Sequence, residues 1–131
     1  MTRAFLVVSS LIAIGIGASL LFTPAEFQAS VGIDLGGNVN LLSEIRAPGG
    51  FLLAAGIYMM LGVFIRKIAH TSVVISTLIY LSYGFARLLG MAVDGMPHTN
   101  LVAATVLEIV IGVLGIVILL RFRGNHSQAQ A

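Results

Sequence analysis

The sequence predicts an all-α fold, an integral membrane up-down four-helix bundle with a short interfacial helix in the first outer loop. Three observations carry this. Hydrophobic residues make up 58% of the chain and charged residues only 9%, against about 25% charged in a soluble domain. So few charges cannot clothe a water-soluble globule. Four apolar runs, at 4–22, 41–65, 68–93 and 101–120, each reach across a hydrocarbon layer of ~30 Å at ~1.5 Å per residue. In lipid a spanning backbone must bond to itself, which makes these runs helices. Finally, the Lys and Arg residues outside the runs fall on alternate connections, as an up-down chain requires.

The first span (4–22) could be taken for a secretory signal. Its apolar core exceeds the usual ~7–15 residues and no A-x-A site follows, so it is read as a retained helix. The connection 23–40 holds Thr23-Pro24-Ala25-Glu26, the pattern of a capping box with proline at the first helical position. A short helix should follow, with Phe27 and Val31 in lipid, ending at Gly32. Gly36-Gly37-Asn38 reads as a turn. The second span (41–65) and third (68–93) are joined tightly, and so are the third and the fourth, drawn from 99 to 120. Sequential helices should therefore be antiparallel neighbours. Residues 1–124 form one domain, and 125–131 read as a disordered cytoplasmic tail.

Small residues mark where helices should touch. Ser9, Ala13 and Gly17 recur every four residues on the first span, Gly49 and Gly56 share a face of the second, and Ala104, Gly112 and Gly115 lie near the face of Glu108 on the fourth. Such stripes let backbones approach closely.

Arg3, Arg66, Lys67, Arg121 and Arg123 all belong to one side of the bundle, while the opposite loops carry Glu26, Asp34 and Asp94. This asymmetry places both termini in the cytoplasm. The partner that the composition demands is the lipid bilayer. The formal charge of +2 comes without a basic patch interleaved with aromatics, so nucleic acid is not expected. Cysteine is absent, which excludes disulfides, thiolate metal sites and cysteine nucleophiles.

Four charges fall within or at the edge of the spans: Glu44, Arg46, Arg87 and Glu108. A charge at a helix centre costs about 2.5–3.5 kcal/mol on insertion scales, so these should pair, face the interior or line water. Glu44 and Arg46 open the second span. Arg87 lies about 10 Å below Asp94 and Glu108 about 15 Å beyond His98, so all four belong to the outer half. Tyr80, Tyr83, Arg87, Gly90 and Asp94 follow spacings of three and four and share one face of the third span. The phenols could donate to Glu108, and Arg87 could reach that carboxylate bidentately. Pro48 removes the amide that would bond the carbonyl of Glu44, and Gly49-Gly50 would permit a kink.

These residues define a candidate site of Glu44, Arg46, Tyr80, Tyr83, Arg87, Asp94, His98 and Glu108. As a pocket, Arg46 and Arg87 would hold an anionic head group and Glu108 would exchange a proton. As a structural ion-pair network, the same charges would fix helix register. No cofactor is expected. His70, His98 and His126 lie at different levels, which leaves no bis-histidine site, and two arginines beside Glu44, Asp94 and Glu108 oppose a metal cation. Gly15-Ile16-Gly17 lies mid-membrane without a preceding strand and reads as packing. No nucleophile elbow, Walker loop or zinc-protease helix is present, and the sequon at Asn125 falls on the cytoplasmic side.

Glu44-Ile45-Arg46-Ala47-Pro48-Gly49-Gly50, then Gly84-Phe85-Ala86-Arg87-Leu88-Leu89, Asp94-Gly95-Met96-Pro97 and Leu107-Glu108 resemble an uncharacterised family of small bacterial four-helix membrane proteins, a domain of unknown function. The resemblance covers the second to fourth spans. It implies a four-helix fold in a bacterial inner membrane and implies no reaction. The overall layout is also similar, in architecture alone, to DoxX-like proteins.

Three functions compete on these residues. The leading one is a non-enzymatic protein that binds a lipid-like ligand or a membrane partner, including a second copy of itself, through the polar outer cluster. A proton-coupled transporter would use Glu108, although four-helix multidrug exporters carry their glutamate on the first helix, where this chain has no charge after Arg3. An isomerase-like membrane enzyme would use Glu108 as acid and base, with Tyr80 or Tyr83 as a donor.

Overall fold

The computed structural model describes residues 1–129, with side chains through 124. It contains five helices: α1 (Thr2–Phe22), α2 (Pro24–Ala29), α3 (Val39–Phe64), α4 (Arg66–Asp94) and α5 (Thr99–Ala129). Among the described residues, α1, α3, α4 and α5 are long and apolar enough to cross a membrane, and the fold is an all-α membrane bundle. The helical backbone of α5 continues to Ala129, into the segment read as a tail. Gln130, Ala131 and the side chains from Asn125 onward, including His126 and the sequon, lie outside the described residues.

Local chemistry sets the helix ends. Asn38 caps α3 by accepting from the amides of Asn40 (3.0 Å) and Leu41 (3.3 Å), which draws the helix start back to Val39. Before it, Gly36 and Gly37 take φ of 55° and 68°, values that glycine alone adopts freely. The linker between α3 and α4 is a single extended residue, Ile65, so Arg66 and Lys67 open α4 itself. Gly95, at φ 102°, ends α4. The expected capping box at Thr23 does not form. Thr23 does precede α2 with Pro24 at its first turn, but its side chain does not cap that helix. The hydroxyl instead donates back to the carbonyl of Ser19 (3.2 Å) on α1, which also accepts the Thr23 amide (2.9 Å).

Sequential helices are antiparallel neighbours: α1 packs along α3, α3 along α4, and α4 along α5. The glycines explain the closeness. A Cβ at Gly49 would lie 2.9 Å from the amide of Leu21, and one at Gly56 would lie 2.9 Å from the amide of Ile14. Gly17 meets the backbone of Leu53 across the same contact. Between α4 and α5, Gly84 faces Ile109, Gly112 faces Leu81 and Gly115 faces Thr77. In lipid, where apolar burial gives no drive, this backbone approach is what holds helices together. Gly49 is therefore a packing residue, and α3 runs through Pro48 as one continuous helix.

The fourth side of the bundle differs. α1 and α5 touch at few places, and an apolar cavity of about 320 Å³ opens between them, bounded by Phe5, Val8, Ile111, Leu114 and Ile118. The half of the bundle nearer the termini is otherwise filled by Leu6, Met59 and Val73 and by small hydroxyl residues. Ser9, Ser10, Ser72 and Ser76 are fully buried. Ser10 and Thr77 return their hydroxyls to helix carbonyls of Val7 (3.1 Å) and Val73 (2.7 Å). They pack as small residues while satisfying themselves locally.

Candidate functional site

The second large cavity, about 310 Å³, lies in the half of the bundle that carries α2. The pair Arg87–Glu108 forms part of its wall. Glu108 on α5 is buried, and Arg87 reaches it from the neighbouring α4. The contact is made by one nitrogen. Arg87 Nε donates to Oε2 at 3.2 Å and Oε1 at 3.3 Å, so the two oxygens share one N–H in place of the expected two-pronged fork. About a third of the Arg87 side chain remains exposed.

Tyr80 and Tyr83 line the same cavity, but neither phenol donates to Glu108. The hydroxyl of Tyr80 donates 2.6 Å to the carbonyl of Ser9 on α1, binding α4 to a helix it scarcely touches elsewhere. Tyr83 packs against the cluster of Ala13, Leu52, Met59 and Ile79. Helical spacing places both phenols on the interior face; which acceptor each meets depends on the depth at which α1 passes α4.

Glu44 lines the cavity from α3, with Pro48 one turn on. It is exposed and makes no hydrogen bond or ion pair among the described residues. Arg46 lies away from the cavity. Its Nη1 donates to the carbonyl of Leu21, one of the acceptors left open at the end of α1, where a cation also meets the negative end of the helix dipole. The last turn of α1 has no basic residue of its own, a signal that could have pointed to a cation supplied from the next helix.

Asp94 and His98 are also apart from the cavity. Asp94 is the exposed last residue of α4 and borders a smaller hollow of about 200 Å³ with Gly90 and Pro97, reached by Arg87 from its other side. His98 begins α5: its carbonyl accepts from Leu101 at 2.8 Å, and its Nδ1 accepts from the Asn100 amide at 3.2 Å. Of the eight predicted site residues, five, namely Glu44, Tyr80, Tyr83, Arg87 and Glu108, line one cavity. Among the described residues no three His, Asp or Glu side chains gather to hold a metal ion.

Sequence reasoning missed the cover. Phe27 and Gln28 of α2 and Ile33 of the following loop line the cavity, so Phe27 faces inward where lipid exposure was expected. The loop is held over the site at both ends: Leu35 is buried, and Asn100 Nδ2 donates 3.3 Å to the carbonyl of Ser30. With Phe27 as the one large apolar side chain in its six residues, α2 offers too little periodicity to tell an inward face from an outward one. Chemically, the cavity combines apolar walls, a covered mouth carrying a carboxylate and a neutralised ion pair at its side.

The family model for a domain of unknown function (DUF4345) matches residues 1–119. The chain belongs to that family, as the motifs on its second to fourth spans suggested. No curated protein and no solved structure matches the chain.

Proposed function

We propose that this member of the DUF4345 family binds an amphipathic, lipid-like molecule between its helices. The observation that carries this reading is the cavity of about 310 Å³, within the ~300–1,000 Å³ range of small-molecule sites and, like them, mostly apolar with a few convergent polar groups. Its position between membrane-spanning helices gives a hydrophobic tail direct access from the bilayer. The basic residues gathered at the opposite end, Arg3, Arg66, Lys67, Arg121 and Arg123, support an orientation with that end in the cytoplasm and the cavity in the outer leaflet. The family resemblance supports placing the protein in a bacterial inner membrane.

The test is native mass spectrometry of the protein in mild detergent, with extraction and identification of what it carries. Ala104 lines the cavity from α5 and is only half-buried, so Ala104→Phe fills the space without touching a charge. A bound amphiphile on the wild-type chain, absent from a normally folded Ala104→Phe variant, is the expected result. A wild-type chain that is empty, or a variant that retains the same molecule, overturns the reading.

A further inference from the structure

Resting on that amphiphile reading, the arrangement of charge around the cavity goes further and indicates the class of head group. Among the described residues, the cations near this end of the bundle are both engaged. Arg46 is held by the carbonyl of Leu21 and does not line the cavity. Arg87, the one cation in its lining, is neutralised by Glu108. The lining also holds a second carboxylate, Glu44, for which no partner exists among the described residues. With the ion pair cancelled, the cavity carries one net negative charge, placed at its mouth.

The neighbouring groups have the same sign of preference. Pro48 lines the cavity one turn on from Glu44 and has no amide to offer an anion. Phe27 and Tyr83 contribute aromatic rings, whose faces attract cations. In the lining, an anionic head group would meet an unpaired carboxylate and no cation but the paired Arg87.

We propose that the molecule taken by this cavity is a cationic amphiphile, an ammonium head group seated at Glu44 near the rings of Phe27 and Tyr83, with its apolar body against Leu20, Leu52 and Ile79. Arg87 and Glu108, paired with each other, add no net charge to the wall beside it. The anionic head group that the sequence favoured depended on Arg46 joining Arg87, which the fold prevents.

The experiment titrates two probes of equal chain length and opposite charge, n-decyltrimethylammonium and n-decylsulfonate. Each is added below its micellar concentration to the full chain in a maltoside detergent, with binding read by calorimetry. The wild-type chain should bind the cation about tenfold more tightly than the anion, the combined size of one partly exposed ion pair and one cation–π contact. Glu44→Gln should bring the two within about threefold. Glu44 is exposed and bonds to nothing in the fold, so this variant should fold as the parent does, which its unfolding temperature checks. An anion bound as tightly as the cation, or a preference that survives in Glu44→Gln, overturns the head-group assignment while leaving the amphiphile site standing. Failure of both probes to bind, or equal binding of both to Ala104→Phe and to the wild-type chain, overturns the site itself.

Discussion

α1 meets α3 on one side and α5 on another, and the two contacts are unlike. Against α3 it presents Ala13 and Gly17 to Gly49 and Gly56, and the backbones come so close that no methyl group fits. Against α5 it presents Phe5, Val8, Ile16 and Leu20, and the helices stand apart with a cavity in each half of the bundle. Both surfaces are apolar, so hydrophobicity does not distinguish them. In lipid, contact is governed by how near two backbones can come. The side with small residues closes and the side with large ones leaves room. The cavity is the consequence of a bundle zipped along three sides and loose along the fourth.

Substitutions at the closed contact should have the largest effect. Gly56→Leu forces a side chain into the backbone of Ile14 and should cost about 3 kcal/mol or more, read as loss of monodisperse protein and a sharp fall in unfolding temperature. A normal unfolding temperature would show that α1 and α3 are not as close as described. Next comes the ion pair that bridges α4 and α5 beside the cavity. Arg87→Met leaves Glu108 buried without its partner and should cost about 2–3 kcal/mol, near the low end for buried pairs because Arg87 is partly exposed. The double change Arg87→Met with Glu108→Leu should recover most of that loss in chemical or thermal unfolding. If it recovers nothing, the pair contributes more than the removal of one buried charge.

A smaller effect is expected at the hydrogen bond that ties α4 to α1 beside the loose side. Tyr80→Phe removes the donor to Ser9 and should destabilise by about 1 kcal/mol, with a matching rise in hydrogen exchange on α1. The smallest belongs to the open contact. Leu114 borders the cavity nearer the termini and is half exposed to lipid. Leu114→Phe should change stability by no more than about 0.5 kcal/mol, and a loss as large as that of Gly56→Leu would end the distinction between the two sides.

Much of the candidate site was legible in the sequence, and the misplacements share a cause. Charges are so costly in lipid that Arg87 and Glu108 had to find each other, and helical spacing put Tyr80, Tyr83 and Arg87 on one interior face. Arg46 follows the same logic and was still misplaced, because a guanidinium on its long arm can satisfy either a ligand or an open helix end. Tyr80 was placed on the right face with the wrong acceptor. Phe27 was assigned to lipid when it covers the cavity. Asp94, assigned to the cluster by helical spacing, and His98, assigned by its level on the outer side, are the end of one helix and the beginning of the next.

By itself the sequence determined that the chain is a four-span helical membrane protein, which end its basic residues occupy, and that Gly17, Gly49, Gly56, Gly112 and Gly115 would be helix contacts. These follow from local quantities: the length of apolar runs, the period of a helix, the cost of a charge in hydrocarbon. Only the tertiary structure decided that α1 and α5 stand apart, that α2 covers the gap, that Arg46 is withdrawn to the end of α1, and that Glu44 is left as the unmatched charge at the mouth. Each of these depends on the spacing and depth at which two helices pass, a sum over many side-chain contacts that no single segment of sequence contains.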